Sequence, residues 1–153
     1  MASHITDSVF LKGLYGTDAM RAVFDDRALL QKWLDAEVAL AQAEAELGVI
    51  PQAAADEIAQ KGRAELIDTG WMKREIDHTL HPIVPLIRAF KAVCDGDAGE
   101  FIHWGATTQD IMDTAVVLQL KDAVAIFEQR VADMDDALVA LARAHRDTLM
   151  PGR

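Results

Sequence analysis

The chain has 153 residues, of which 51% are hydrophobic and 26% charged, a balance that excludes a disordered tail and fits a single domain. The net charge of −10 argues against a nucleic-acid binder, which needs a basic face, and one cysteine excludes an internal disulfide and fits a reducing compartment. No apolar run approaches the roughly 18 residues of a membrane span and no signal peptide is evident, so we expect a cytoplasmic protein with neither membrane nor nucleic-acid partners.

Apolar residues recur at helical spacing along most of the chain, whereas strand-like alternation never persists. The first predicted helix begins at Thr17 or Asp18 and ends at Leu47, because Gly48 follows it. Asp25 and Asp26 mark a point at which this helix can break and restart near Arg27. The pattern therefore predicts an all-α protein.

Three shorter elements are predicted next. Pro51 suits the first turn of a helix over 51–60, and a short helix or turn over 65–69 ends near Gly70. Pro82 opens another helix, which ends near Val93.

The last predicted helix covers 110–146 and contains neither glycine nor proline. Its apolar residues follow a heptad-like stripe with alternating spacings of three and four: Val117, Leu120, Val124, Phe127, Val131, Met134, Leu138 and Leu141. About 37 residues of helix span about 55 Å, whereas a compact domain of this length is about 40 Å across. The helix must therefore extend into a bundle completed by further sequence or other subunits. We accordingly predict an N-terminal helical domain over 1–107 and the start of a long-helix bundle over 108–153.

Two histidines lie three residues apart, His78 and His81, a spacing that suits a metal site on a helix. No third ligand at a useful spacing is evident, so we expect no metal. The alternative is that one of these histidines caps the helix that Pro82 opens.

The segment before the long helix concentrates polar side chains: His103, Thr107, Thr108, Gln109 and Asp110. Its hydroxyl groups and the free N–H groups of the first helical turn could bind an anion such as a substrate carboxylate. The alternative is a capping segment only, in which Thr108 is the cap and Asp110 complements the helix dipole. The spacing alone favours neither the anion site nor the capping segment.

The segment 103–115 closely resembles a signature block of the fumarase/aspartase superfamily, and most of all the branch of adenylosuccinate lyase and 3-carboxy-cis,cis-muconate cycloisomerase. That branch uses a His-x-Gly-x-Thr-Ser-x-Asp pattern, and Thr108 stands at the position of the serine. The segment 79–86 resembles the histidine-bearing block of adenylosuccinate lyases, and 20–26 and 45–51 resemble the N-terminal helices of the branch. The resemblance covers nearly the whole chain.

The resemblance implies an N-terminal helical domain followed by the first long helix of a central bundle. It also implies a homotetramer whose active sites combine blocks of three subunits, a small carboxylate substrate and no cofactor. The reaction would be an anti β-elimination that passes through a carbanion and releases fumarate from a succinyl adduct. We expect the chain to be the N-terminal third of a longer enzyme, with the principal acid and base beyond Arg153, and to be inactive alone.

The resemblance also implies residue roles. His81 matches a histidine that assists catalysis or holds the leaving portion of the substrate. Tyr15 matches the tyrosine of an Arg-Tyr pair that contacts a nucleotide phosphate in adenylosuccinate lyases, although Leu14 replaces the arginine. The other substrate-binding positions are His103, Thr107, Thr108 and Gln109.

Three alternatives remain beside an adenylosuccinate lyase-like enzyme. The first is a 3-carboxy-cis,cis-muconate cycloisomerase, since Gln109 and the segment 20–26 look more like that enzyme. The second is a non-catalytic oligomerisation module built on the apolar stripe. The third is a metal-binding helical domain that uses His78 and His81.

Overall fold

A computed structural model describes residues 4–152 of the chain. Within this range the chain forms seven α-helices and no strand, which confirms the predicted all-α class. The helices are α1 Lys12–Tyr15, α2 Asp18–Val23, α3 Asp26–Glu46, α4 Gln52–Lys61, α5 Thr69–Thr79, α6 Ile83–Val93 and α7 Thr108–Ala144. Short 3₁₀ turns lie at Ile5–Asp7, Ala64–Leu66 and Ala98–Phe101. No helix in this range is long and apolar enough to cross a bilayer.

The predicted break in the first long segment lies between α2 and α3. Thr17 caps α2 by accepting the Met20 N–H at 3.2 Å, and Asp25 caps α3 by accepting the Ala28 N–H at 2.7 Å. Each cap satisfies a backbone donor that the first helical turn leaves without an intrahelical partner. The break at Asp25 is confirmed, and Gly48, with a φ of 71°, follows the end of α3.

The sequence prediction for 65–69 is right about the short element and wrong about Gly70. The 3₁₀ turn Ala64–Leu66 is the short element expected there, but Gly70 does not end a helix, because α5 begins at Thr69 and continues through Gly70 for 11 residues. Asp68 explains the difference, because its carboxylate accepts the Trp71 N–H at 2.9 Å and fixes the start of the helix. A glycine costs a helix only about 1 kcal/mol, which the buried side chain of Met72 helps to offset.

The core lies between α3, α4 and α6, and its largest members are fully buried. Leu34 comes from α3, Ile58 from α4, and Leu86 and Phe90 from α6. Apolar burial of this kind is the main stabilising term of the fold.

The long helix α7 has two different halves. Its first four turns pack along α3 and the end of α2, with Ile111, Ala115, Gln119 and Ala123 buried. Gln119 also donates a hydrogen bond of 2.7 Å to the carbonyl of Val23. Every residue from 127 to 152 is exposed, and the eight residues of the predicted apolar stripe are 50–63% exposed.

The helix therefore extends beyond the packed body, as its length predicts. The proposed domain boundary coincides with Thr107, the N-cap of α7, while the division into two domains stays a prediction.

Candidate active site

Helix α3 carries a carboxylate on the face that it buries. Leu30, Leu34 and Ala41 lie on this face at helical spacing, and Glu37 stands between them. The whole Glu37 residue is only 1% exposed. A buried carboxylate is costly unless another group compensates it, so its partner is of functional interest.

The partner of Glu37 is His103, 66 residues further along the chain. His103 Nδ1 lies 2.7 Å from Glu37 Oε1. Burial raises the pKa of Glu37 above its usual value of 4.5, the neighbouring His103 opposes this shift, and the charge of Glu44 adds to it. Within the described residues, Glu37 Oε2 has no hydrogen-bond partner. The imidazole is therefore the one side chain that contacts this carboxylate by a hydrogen bond.

The loop that carries His103 has a constrained backbone. His103 has a φ of 64° and Gly105 one of 69°, both in the left-handed region, where a residue other than glycine is uncommon. A Cβ at Gly105 would lie 3.9 Å from Glu44 Oε1, so this loop also borders a second carboxylate of α3. Burial raises the pKa of Glu44 as well.

The loop leads into α7 through a capping box, and the capping alternative is wrong about its residue. Thr107 is the N-cap, not Thr108, and Asp110 is its reciprocal partner. The Asp110 carboxylate accepts the Thr107 N–H at 3.0 Å. The Asp110 N–H donates to Thr107. The N–H groups of Thr108 and Gln109 have no intrahelical acceptor, so they remain donors at the positive end of a 37-residue helix.

The side chains at this helix start differ in accessibility. Thr107 is exposed and Thr108 half-buried. The exposed Gln109 side chain donates from Nε2 to Asp113 on the next turn. Asp110 places a negative charge close to the donors, so an anion here needs directional hydrogen bonds as well as the dipole.

His81 lies at the junction of α5 and α6. It follows Leu80, which ends α5 in the left-handed conformation with a φ of 55°. The N-cap of α6 is Pro82, not a histidine, but the Ile83 N–H donates to His81 Nδ1 at 3.3 Å, so the imidazole satisfies one backbone donor of the first turn. His78 is exposed, and in the described range no three His, Cys, Asp or Glu side chains are grouped for a metal ion.

Tyr15 lies in a separate cleft of about 450 Å³, whose lining in the described chain comes wholly from residues 6–25. The tyrosine is 59% exposed. Among the predicted site residues, the structure thus groups His103, Thr107, Thr108 and Gln109 on one segment. Tyr15 lies in its own cleft, and the hydrogen-bond partner of the His81 ring is two residues away along the chain.

Sequence reasoning missed Glu37. A pattern did mark it, because it is a carboxylate on the apolar face of α3, between Leu34 and Ala41. An acidic residue at a core position of an amphipathic helix needs a partner. The sequence could not identify His103 as that partner, since only the tertiary fold brings them together.

Residues 14–153 match the family described as "Lyase". Together with the all-α fold and the segment at the start of α7, this match places the chain in a lyase family of the fumarase/aspartase superfamily.

Known members of the family align over most of the chain. It is 42% identical to N-acetyl-S-(2-succino)cysteine lyase from Enterococcus italicus, over 100% of this chain and 33% of that protein. It is 42% identical to adenylosuccinate lyase from Methanocaldococcus jannaschii, over 91% of this chain and 30% of that protein. Among solved structures, 3-carboxy-cis,cis-muconate lactonizing enzyme from Pseudomonas putida superposes with a TM-score of 0.85 at 39% identity, over 92% of this chain and 33% of that one. The chain spans about a third of the length of these relatives.

Proposed function

We propose that this chain supplies one wall of the active site of a lyase that releases fumarate from a succinyl adduct by anti β-elimination. The main support for this activity is the arrangement of residues at the start of α7. There a histidine held by a buried carboxylate lies on the loop that leads to two hydroxyl side chains and a helix N-terminus. Relatives named for succinyl adducts, at 42% identity, support the same choice of substrate.

In this proposal the start of α7 binds the substrate carboxylate. Thr107 and Thr108 offer hydroxyl donors, and the free N–H groups of the first turn add to them. Removal of the proton next to a carboxylate places negative charge on its oxygens, so donors fixed around them stabilise the transition state. His103 and Gln109 contact the substrate beside this site.

Two further residues receive roles by the same proposal. His81 assists catalysis or holds the leaving portion of the substrate, and its position at a helix junction favours a fixed imidazole. Tyr15 binds another part of the substrate, and its exposed ring in an open cleft is compatible with that role. The principal acid and base come from outside this chain.

We further propose a cytoplasmic homotetramer in which several subunits share each active site. The uncovered apolar stripe of α7 supports an assembly, because a continuous exposed apolar face favours contact with other helices. The single cysteine is compatible with a reducing compartment.

A chimera tests the activity. Residues 1–153 replace the matching third of the E. italicus relative, and fumarate release is measured with N-acetyl-S-(2-succino)cysteine and adenylosuccinate. We expect turnover of at least one adduct. An assembled chimera that releases fumarate from neither would contradict the proposal.

The test of the binding site uses Thr107→Ala combined with Thr108→Ala in that chimera. We expect a loss of about 100-fold in kcat/KM, on the scale of removing preorganised donors to a developing oxyanion. The matched control is Thr114→Ala, which removes an exposed hydroxyl two turns further along α7. Equal activity of the double variant and the control would contradict a substrate carboxylate at this site.

The second candidate is a 3-carboxy-cis,cis-muconate cycloisomerase, which the superposition with the lactonizing enzyme favours. Carboxymuconate and the two adducts should therefore be offered in parallel to the chimera. Lactone formation without fumarate from either adduct would favour this candidate.

A non-catalytic oligomerisation module is the alternative from another class, supported by the exposed stripe. In this case the Thr107→Ala, Thr108→Ala variant would lose assembly. For the enzyme, the variant should lose turnover and keep the mass of the parent assembly in light scattering.

A further inference from the structure

We propose that Glu37 is a positioning residue of the candidate active site, whose carboxylate holds Nδ1–H of His103 and leaves Nε2 as the ring nitrogen that contacts the substrate. The substrate contact rests on the proposed function. The pairing of the two side chains rests on the geometry alone.

The two side chains lie at hydrogen-bond distance. Glu37 Oε1 and His103 Nδ1 are 2.7 Å apart, within the range of short hydrogen bonds that involve an ionised group. An ionised carboxylate can only accept, so Nδ1 must carry the proton in both the neutral and the charged imidazole. The remaining nitrogen, Nε2, changes its protonation state and is not bonded to Glu37.

Both side chains of the pair are shielded from solvent. The Glu37 side chain is fully buried and that of His103 is 14% exposed. Glu37 Oε2 lacks a partner in the described part of the chain, so His103 supplies the single compensating hydrogen bond from a side chain. A buried carboxylate is strongly disfavoured without such a bond, and an imidazole that turned away would leave it without a side-chain partner.

Glu37 lies on a helix, whereas His103 lies on a loop. Glu37 lies near the middle of the 21-residue helix α3, with the fully buried Leu34 one turn before it. His103 lies on a loop in the left-handed conformation, which persists only where surrounding contacts hold it. The rigid helix therefore orients the loop residue, as second partners orient the histidines of catalytic triads and metal sites.

The tautomer of His103 tests the pairing directly. The chain is labelled with ¹⁵N-histidine, and long-range ¹H–¹⁵N correlation spectra are recorded at slightly alkaline pH, with His103→Gln used for assignment. We expect Nδ1–H in the wild type. Nε2–H in the wild type would overturn the proposal without any further variant.

Glu37→Gln is the informative substitution, because an amide of the same shape offers both a donor and an acceptor. We expect it to introduce Nε2–H at His103. The matched control is Glu46→Gln, which removes the same charge from an exposed position of the same helix, and it should leave Nδ1–H unchanged. A Glu37→Gln spectrum identical to that of the control would overturn the proposal.

Kinetics of the active chimera then separate positioning from general stability. Because His103 binds substrate in the proposed function, Glu37→Gln should raise KM at least tenfold and change kcat less, on the scale of second-partner substitutions. A fall in kcat at unchanged KM would show a structural role only and overturn the positioning role. A chimera that is inactive before any substitution would count against the proposed function, and the tautomer of His103 would still decide the role of Glu37.

Discussion

The packed body and the far half of α7 are both helical, yet they are stabilised by different partners. In the body, α3, α4 and α6 cover one another, and Leu34, Ile58 and Phe90 are fully buried. In α7 beyond Phe127, a regular apolar stripe is at least half exposed throughout. Helical periodicity thus identifies the face that will be buried, whereas the partner of that face is a property of the assembly.

Two phenylalanines give the sharpest test of this contrast. Phe90→Ala removes a fully buried ring from the core and should lower the free energy of unfolding by about 3–5 kcal/mol. Phe127→Ala, at a side chain that is 63% exposed, should change it by no more than about 0.5 kcal/mol. Urea unfolding of the dilute chain measures both. A cost at Phe127 equal to that at Phe90 would mean that the stripe is covered in solution.

The next largest effect is expected where a charge is buried in the body. His103→Ala should cost about 3 kcal/mol, because it leaves the Glu37 carboxylate without its partner. His145→Ala, at the exposed end of α7, is the control and should be close to neutral. Equal unfolding midpoints for the two variants in urea would argue against a buried carboxylate that depends on His103.

The cap of α5 should give a smaller effect. Asp68→Ala removes the acceptor of the Trp71 N–H and should cost about 1 kcal/mol. Asp97→Ala is matched to it, since Asp97 precedes a 3₁₀ turn without a side-chain cap bond. Thermal unfolding followed by circular dichroism separates the two. If Asp68→Ala and Asp97→Ala have the same thermal unfolding midpoint, α5 does not depend on its cap.

The smallest effect concerns pH. Burial raises the pKa of Glu37 above its usual value of 4.5. At pH values between the usual pKa of the unfolded chain and the raised pKa of the folded chain, the folded chain therefore holds a proton that the unfolded chain has lost. Rising pH through this window therefore destabilises the fold. We expect wild type to lose stability relative to Glu37→Gln as pH rises from below 4.5 towards neutral, while Glu46→Gln runs parallel to wild type. If wild type instead gains stability relative to Glu37→Gln as pH rises in the same urea series, folding lowers the pKa of Glu37.

Local chemistry explains what the sequence predicts well. The cap at Asp25, the glycine after α3 and the stripe of α7 each depend on neighbouring residues, and the structure has all three. The sequence analysis does not predict α5, because Gly70 indicates a helix end there, whereas the Asp68 cap decides where the helix begins.

The candidate site is harder to predict for a physical reason. The segment 103–109 is contiguous, so its polar residues can be found by reading along the chain. The pair of Glu37 and His103 joins positions 66 residues apart, and no local pattern encodes that distance. Only the packing of the loop and α7 on α3 brings these two groups together.

The hydrogen bond from Gln119 to the carbonyl of Val23 has a mechanical meaning. It lies within the stretch of α7 that is held against the body, and beyond Ala123 the helix runs free for about 32 Å at about 1.5 Å per residue. A small change in the direction of a helix that is packed at one end moves its other end by a larger distance. A tilt of about 5° where α7 leaves the body displaces the end of the helix by about 3 Å over that length. The buried amide of Gln119 therefore helps to set the angle at which the far end of α7 meets its packing partner, although Gln119 lies far from that contact.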